Sequence, residues 1–325
     1  MFDLISIGDC VIDTFIPLLD AKVENRGEER ELILRFGDKV PVGPGETMVA
    51  GNAANNAVGG SRLGLKSSIY TNVGDDLDAD KVIHKLKEEE IDTRYVVRNS
   101  KMASNHNFVL NYEGERTILV HHQPWKFHLP DLEASRWIYL TSLSPSFVQS
   151  NLYDQLVHYL ERTGAKLHFN PGTFQIKHGV KKFPRILSLT DVFIVNNEEA
   201  KLILGYEEKK NVQVKKLLKE LLDLGPRNVV ITDGVRGSYG SNGEKVLKMS
   251  VFPQELVQVT GAGDAYASGV LAGFFYGEDL AGAMRWGGAN SASVVEHIGP
   301  QTGLLTLHKM KEVLKKYSKI VAEEI

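Results

Sequence analysis

Short apolar or β-branched runs that alternate with stretches of helical periodicity constrain this chain more than any other feature. Leu4 to Ile7, Ser67 to Val73, Trp137 to Leu140, Lys166 to Phe169, Val192 to Val195 and Val229 to Thr232 each read as a short buried strand. Helical periodicity follows at Asp78 to Glu89, Ser146 to Arg162, Glu198 to Leu204 and Val212 to Leu224. Parallel neighbours need a long crossover, so this alternation predicts a doubly wound, mainly parallel α/β sheet. The C-terminal part, Gly261 to Gly277, Leu280 to Val295 and Leu307 to Glu323, is predicted mostly helical. No repeat, linker or low-complexity tract divides the chain, so one domain is expected over 1–325.

Two segments break the alternation. Lys22 to Gly45 is highly charged around one short β-like run, Leu32 to Phe36, and Asn105 to Val120 reads as a hairpin of Asn107 to Asn111 and Arg116 to Val120 across Glu113-Gly114. Both suit solvated strands outside the core. They predict inserted lid segments at about 15–47 and 105–122 that can pair into one small sheet.

Charge and cysteine usage exclude several function classes. With 38 Lys plus Arg against 41 Asp plus Glu, the net charge of -3 offers no field to hold a polyanion, so no nucleic-acid partner is expected. The longest apolar stretch, Val270 to Tyr276, falls far short of the ~20 residues that cross a bilayer. No membrane association is expected. The single cysteine, Cys10, has no internal partner, and Met1 to Cys10 carries no basic leader, which together predict a cytoplasmic protein.

Chemistry is expected where small residues expose the backbone. Val257 to Thr260 is a β-branched approach to the turn Gly261-Ala262-Gly263-Asp264, which opens a helix. Unshielded N–H groups at a helix start hold phosphate or developing negative charge, and Asp264 beside them suits a carboxylate that takes a proton from a hydroxyl. The same residues also suit simple helix capping by Thr260 or Asp264. A dinucleotide fingerprint fails because Tyr266 stands at the third glycine position, and a Walker A loop fails because Leu65 intervenes between Gly64 and Lys66. Asn52, Asn55 and Asn56, in a small-residue helix start after Gly51, can read ligand hydroxyls or can belong to a helix packed tightly on the sheet. Asn196-Asn197-Glu198-Glu199 follows a strand and offers a carboxylate for water around magnesium, or ordinary first-turn helix chemistry. Thr232 to Gly237 ends a strand with a hydroxyl and two glycines, which can border a nucleotide phosphate or form a hairpin.

In order and spacing, Ala50 to Gly64, Asn196 to Gly205, Thr232 to Gly237 and Gly261 to Asp264 resemble the ribokinase-like, or PfkB, family of carbohydrate kinases. Thr260-Gly261-Ala262-Gly263-Asp264-Ala265-Tyr266 is similar to that family's D-T-T-G-A-G-D-A-F signature. The resemblance implies a three-layer α/β/α sandwich with a small β lid, and transfer of the γ-phosphoryl group of ATP to a hydroxymethyl group. It implies Asp264 as general base, Gly261, Ala262 and Gly263 as the anion hole, and Glu199 holding Mg2+ through water. Asp13, Gly51, Asn52 and Asn55 would hold the acceptor, and Asn196, Thr232, Gly234, Gly237 and Asn290 the nucleotide. Gln258 stands where many members carry an aspartate beside a monovalent cation, so potassium activation is expected to be weak or absent. The expected acceptor is a free sugar or sugar acid. A nucleoside is the alternative acceptor, a sugar- or nucleotide-binding sensor without turnover the rival from another class, and a homodimer through the lid the expected assembly.

Overall fold

The computed structural model describes residues 1–27, 29–207 and 209–325; Glu28 and Glu208 lie outside the described residues. Its central sheet runs, edge to edge, through Glu323–Glu324, Val246–Met249, Ser238–Ser241, Asn228–Thr232, Thr190–Asn196, Lys166–Phe169, Ser135–Leu140, Phe2–Ile7, Ser67–Val73 and Val96–Arg98. From Asn228–Thr232 to Val96–Arg98 all pairings are parallel, and only the edge beyond Asn228–Thr232 is antiparallel. Side-chain alternation puts opposite faces of one strand into different cores. In Ser135–Leu140, Ile138 and Leu140 join the cluster under Leu152–Thr163 and Val214–Leu222, while Trp137 and Tyr139 join the one under Ala262–Phe275 and Leu280–Val294. This is the expected helix, sheet, helix layering.

The chain leaves Phe2–Ile7 for Ser67–Val73 on one side and later returns through Ser135–Leu140 on the other. Strand order therefore reverses at Phe2–Ile7, and loops diverge there at the carboxyl ends of the strands, opening a crevice. The helices Ala262–Phe275 and Leu280–Val294 pack closely because small residues face each other. A Cβ on Gly269 would lie 2.6 Å from the Trp286 carbonyl oxygen, and one on Gly273 would lie 2.7 Å from Ala283 Cα.

The lid differs from the expectation in its membership. Its four strands run Glu46–Ala50, Val11–Pro17, His106–Tyr112 and Glu115–His121, while Lys22–Arg26 and Glu29–Ile33 pair only with each other. The early segment Val11–Pro17, apolar and close behind the first strand, is the lid's central partner. The hairpin turn is as read, with Glu113 and Gly114 at φ 50 and 80, the left-handed pair that a two-residue turn requires. The helix expected over Leu307 to Glu323 stops at Lys316, and the one expected over Ser146 to Arg162 divides into a 3-10 turn, Pro145–Gln149, and the helix Leu152–Thr163. Among the described residues no helix is long and apolar enough to cross a membrane.

Candidate active site

Gly261 adopts φ 81, a left-handed conformation that starts the helix Ala262–Phe275, and a Cβ there would lie 2.5 Å from Pro300 Cα. Nothing lies within 4 Å of a Cβ built on Gly263, so this turn faces open space. The Ala262 N–H reaches back to the Val259 carbonyl oxygen at 3.3 Å, which leaves fewer unengaged amides than the bare sequence implied. Gly263, in the first turn, has no intrahelical carbonyl for its N–H.

Asp264 follows directly and is only 7% exposed. Asn52 Nδ2 donates to its Oδ1 at 2.9 Å, and Asn55 Nδ2 donates to its Oδ2 at 2.8 Å. Both amides come from the helix Asn52–Arg62, which packs against the first turn of Ala262–Phe275 through Ala57, Val58 and Ala265. Gly51, at φ 98, permits that helix start, since a Cβ would lie 2.6 Å from the Asp9 carbonyl oxygen. Burial pushes the Asp264 carboxyl up to about 6; the two amide donors pull against it, and the charge of Asp13 adds to it. Desolvation outweighs the two amide donors.

Asp13 projects from the lid strand Val11–Pro17, is itself nearly buried, and accepts from Asn107 Nδ2 at 3.0 Å. Its carboxyl is likewise raised by burial. Asn107 pairs with Asp13 in strand register, and its Oδ1 is buried without a partner, an acceptor left for a ligand donor. Sequence reasoning placed Asn107 only in a hairpin; the lid pairing that sets it beside Asp13 is a long-range contact.

A second group lines a cleft of ≈ 220 Å³ beside the same turn. Thr232, Gly234 and Gly237 form one wall with Ala262 and Gly263, and Val251, Phe252, Leu256, Val259 and Val295 supply an apolar remainder. Gly237 has φ 89 and a Cβ there would lie 2.0 Å from the Met249 carbonyl oxygen, so only glycine fits. Asn196 stands beside Thr232 in register and caps the helix Asn197–Leu204. Its Oδ1 accepts from the Glu199 N–H at 2.7 Å, and Glu199 Oε2 accepts from the Asn196 N–H at 2.8 Å. Glu199 therefore caps the helix through one oxygen, its carboxyl is raised by burial, and among the described residues its other oxygen has no hydrogen-bond partner.

Asn290 requires a correction. It is 0% exposed, its Nδ2 donates to the Ala265 carbonyl oxygen and to Ser268 Oγ, and its Oδ1 accepts from the Leu305 N–H. Its side-chain polar groups are engaged by the helix Ala262–Phe275 and the loop at Leu305, and Gly288, Ser291 and Ala292 of its own helix face the cleft instead. Helical periodicity read from the cleft outward could have found this face.

The family model for pfkB family carbohydrate kinases matches residues 3–307. The chain belongs to that family. This pfkB carbohydrate kinase is 24% identical over 341 aligned positions to the ATP-dependent 6-phosphofructokinase of Thermoanaerobacterium thermosaccharolyticum, covering 97% of the chain and 95% of that protein. It is 27% identical to the nucleoside kinase of Methanothermobacter thermautotrophicus, covering 78% of the chain and 80% of that protein. Its fold matches Arabidopsis thaliana ribokinase, solved with ribose and ATP, at a TM-score of 0.78 and 18% identity, covering 97% and 99% of the two chains. The pfkB kinase thus has the ribokinase fold.

Proposed function

We propose that this kinase moves the γ-phosphoryl group of ATP onto a hydroxymethyl group of a small sugar or sugar acid, with Asp264 as general base. The observation that carries the proposal is Asp264 itself: a buried carboxylate raised to about 6, held by Asn52 and Asn55 and standing between Asp13 and the cleft beside its own turn. Near neutral pH it is ionised, yet its basicity exceeds that of a solvated aspartate, which suits proton removal from an alcohol. It takes the hydroxyl proton as the oxygen attacks the γ-phosphorus, and the bond to the bridging oxygen breaks to release ADP. The Gly261 to Gly263 turn receives the charge on the moving group. General-base action is worth ~10²–10⁴ in rate, and one anion-hole donor ~10²–10³.

The acceptor side supports a polyhydroxylated ligand. Asp13, Asn52, Asn55 and the unpaired Asn107 Oδ1 supply hydrogen-bonding partners for hydroxyls, and among the described residues no Lys or Arg hydrogen-bonds to these groups. That favours a free sugar over a phosphosugar. Phe252, Val251, Leu256 and Val295 suit a flat adenine, with Thr232, Gly234 and Gly237 beside it. Magnesium fits through water: Glu199 keeps one oxygen, and Asn197 Oδ1 is buried without a partner. When bound, it neutralises phosphate charge. Gln258 Oε1 already accepts from the Gly299 N–H at 2.8 Å, consistent with weak or absent potassium activation. The lid strand Glu115–His121 exposes Ile118, Leu119 and Val120 and suits pairing with a second lid, which sedimentation tests. A cytoplasmic setting fits Cys10, buried and single.

The test is ADP release across free sugars, sugar acids, nucleosides and fructose 6-phosphate. The proposal expects turnover with a sugar or sugar acid and little with Asp264→Asn. Preference for a nucleoside or a phosphosugar overturns the acceptor class, and ligand binding without ADP release overturns the enzyme reading.

A further inference from the structure

Asn55 reaches Asp264 as a donor, but a side-chain amide can present either end. Were its Oδ1 turned to the carboxylate, two acceptors would meet, and the acid would have to carry a proton. What orients Asn55 lies on its far side. Gln301 Nε2 is 2.9 Å from Asn55 Oδ1, and both residues are buried, so little solvent competes for that contact.

Gln301 is itself anchored by groups outside the site. Arg62 Nη1 donates to its carbonyl oxygen at 2.6 Å, and Arg62 grips Glu89 through Nε and Nη2 at 2.8 and 2.7 Å. Lys85 adds a further bond to Glu89 at 2.7 Å. These partners hold the Glu89 carboxyl down to about 2, so the anchor keeps its charge over the working range. Pro300, the preceding residue, packs on Gly261, where a Cβ would lie 2.5 Å from Pro300 Cα. One short segment therefore touches both the anion turn and the amide that faces the base.

We infer that Gln301 is a positioning residue: by donating to Asn55 Oδ1 it fixes the sense of that amide, so that Asp264 always receives a donor and is kept as a carboxylate. The inference rests on the reading of Asp264 as the base. The other ionisable groups around Asp264 are Asp13 from the lid, which raises it, and Glu199 and Tyr139, which both feel its charge. None of these is an amide with two senses, and none changes with Gln301.

The readout is the acid limb of kcat/KM, which reports the free enzyme's base. In the parent it is expected near 6, from burial of Asp264. Gln301→Met keeps the length and removes the donor; the limb should move up by about one pH unit, roughly tenfold in kcat/KM below it, with turnover recovered on the alkaline plateau. Gln301→Glu, which sets an acceptor against Asn55 Oδ1, should move it at least as far. In the unaltered protein, the Asn55 side-chain amide resonances should titrate with the midpoint of the limb. A folded variant whose whole profile falls with its limb in place overturns the inference, as do Asn55 resonances that do not titrate. Asp264→Asn separates the two ideas: substantial turnover in that variant refutes the base, whereas an inactive Asp264→Asn with an unmoved limb in Gln301→Met refutes only the role of Gln301.

Discussion

Replacing Asp264 with asparagine should remove turnover and raise stability together. In the folded protein its carboxyl is raised from 3.8 to about 6, almost wholly by burial, so ionised Asp264 opposes folding. The sign follows from proton linkage. Between those two values the folded state binds the proton more tightly than the unfolded chain, so stability falls as pH rises through that window and stays reduced above it. A shift of about two units at 1.36 kcal/mol each gives a penalty of about 3 kcal/mol at pH 8. Asp264→Asn removes the charge but gives a poor partner to one of the two amide donors, which returns about 1 kcal/mol. A net gain of about 2 kcal/mol remains. With an unfolding entropy of about 2.1 cal/mol/K for each of 325 residues, the melting temperature should rise by about 3 °C at pH 8. The gain should shrink as pH falls below 6 and reach zero near about 4.5, where the charge penalty has fallen to the about 1 kcal/mol that the mispaired amide costs. Thermal melts of parent and variant from pH 8 to 4.5, beside ADP release, make the comparison. A variant less stable than the parent by the same amount at every pH refutes the claim that this acid is buried against its own charge.

The glycines of the turn should separate. Gly263→Ala keeps its N–H and meets open space, so it should leave the melting temperature within about 1 °C while its methyl, standing where the phosphoryl group is proposed to sit, lowers kcat; Gly261→Ala meets Pro300 at a left-handed φ and should lose both. Asn290→Leu should destabilise by about 1–3 kcal/mol in urea unfolding, because it strands the buried Leu305 N–H, and should leave the KM for ATP unchanged. Rates in sodium, potassium and choline buffers should agree within about twofold, since the Gln258 carbonyl is already engaged by Gly299 and carries no charge to attract a cation.

What the sequence disclosed follows from how local each signal is. The parallel strands were legible because each is a short apolar run closed by a turn, and Ser67–Val73 and Lys166–Phe169 fall where the pattern put them. Gly261 to Asp264 was legible because a turn of small residues opening a helix needs no distant partner to be recognised. Val11–Pro17 hid because its lid role depends on pairing with residues near 48 and 108. Asn290 misled because a polar residue on a late helix looks the same whether it meets a ligand or a neighbouring helix and loop. Gln301 and Asn107 carried no motif at all; their importance lies in the atoms they face across the fold.

The same distinction explains why the basicity of Asp264 is set by more than its own turn. The helix start supplies amides for an anion, but an aspartate there would ordinarily be exposed and strongly acidic. Here the helix Asn52–Arg62, roughly two hundred residues earlier, closes over it with small side chains, so that desolvation raises the acid while two amides keep it ionisable. Burial alone would give a carboxylic acid that holds its proton, and amide donors alone would give a carboxylate too weak to accept one. Basicity near neutral pH needs both in balance, which only the packing of two distant helices at the strand-order reversal provides.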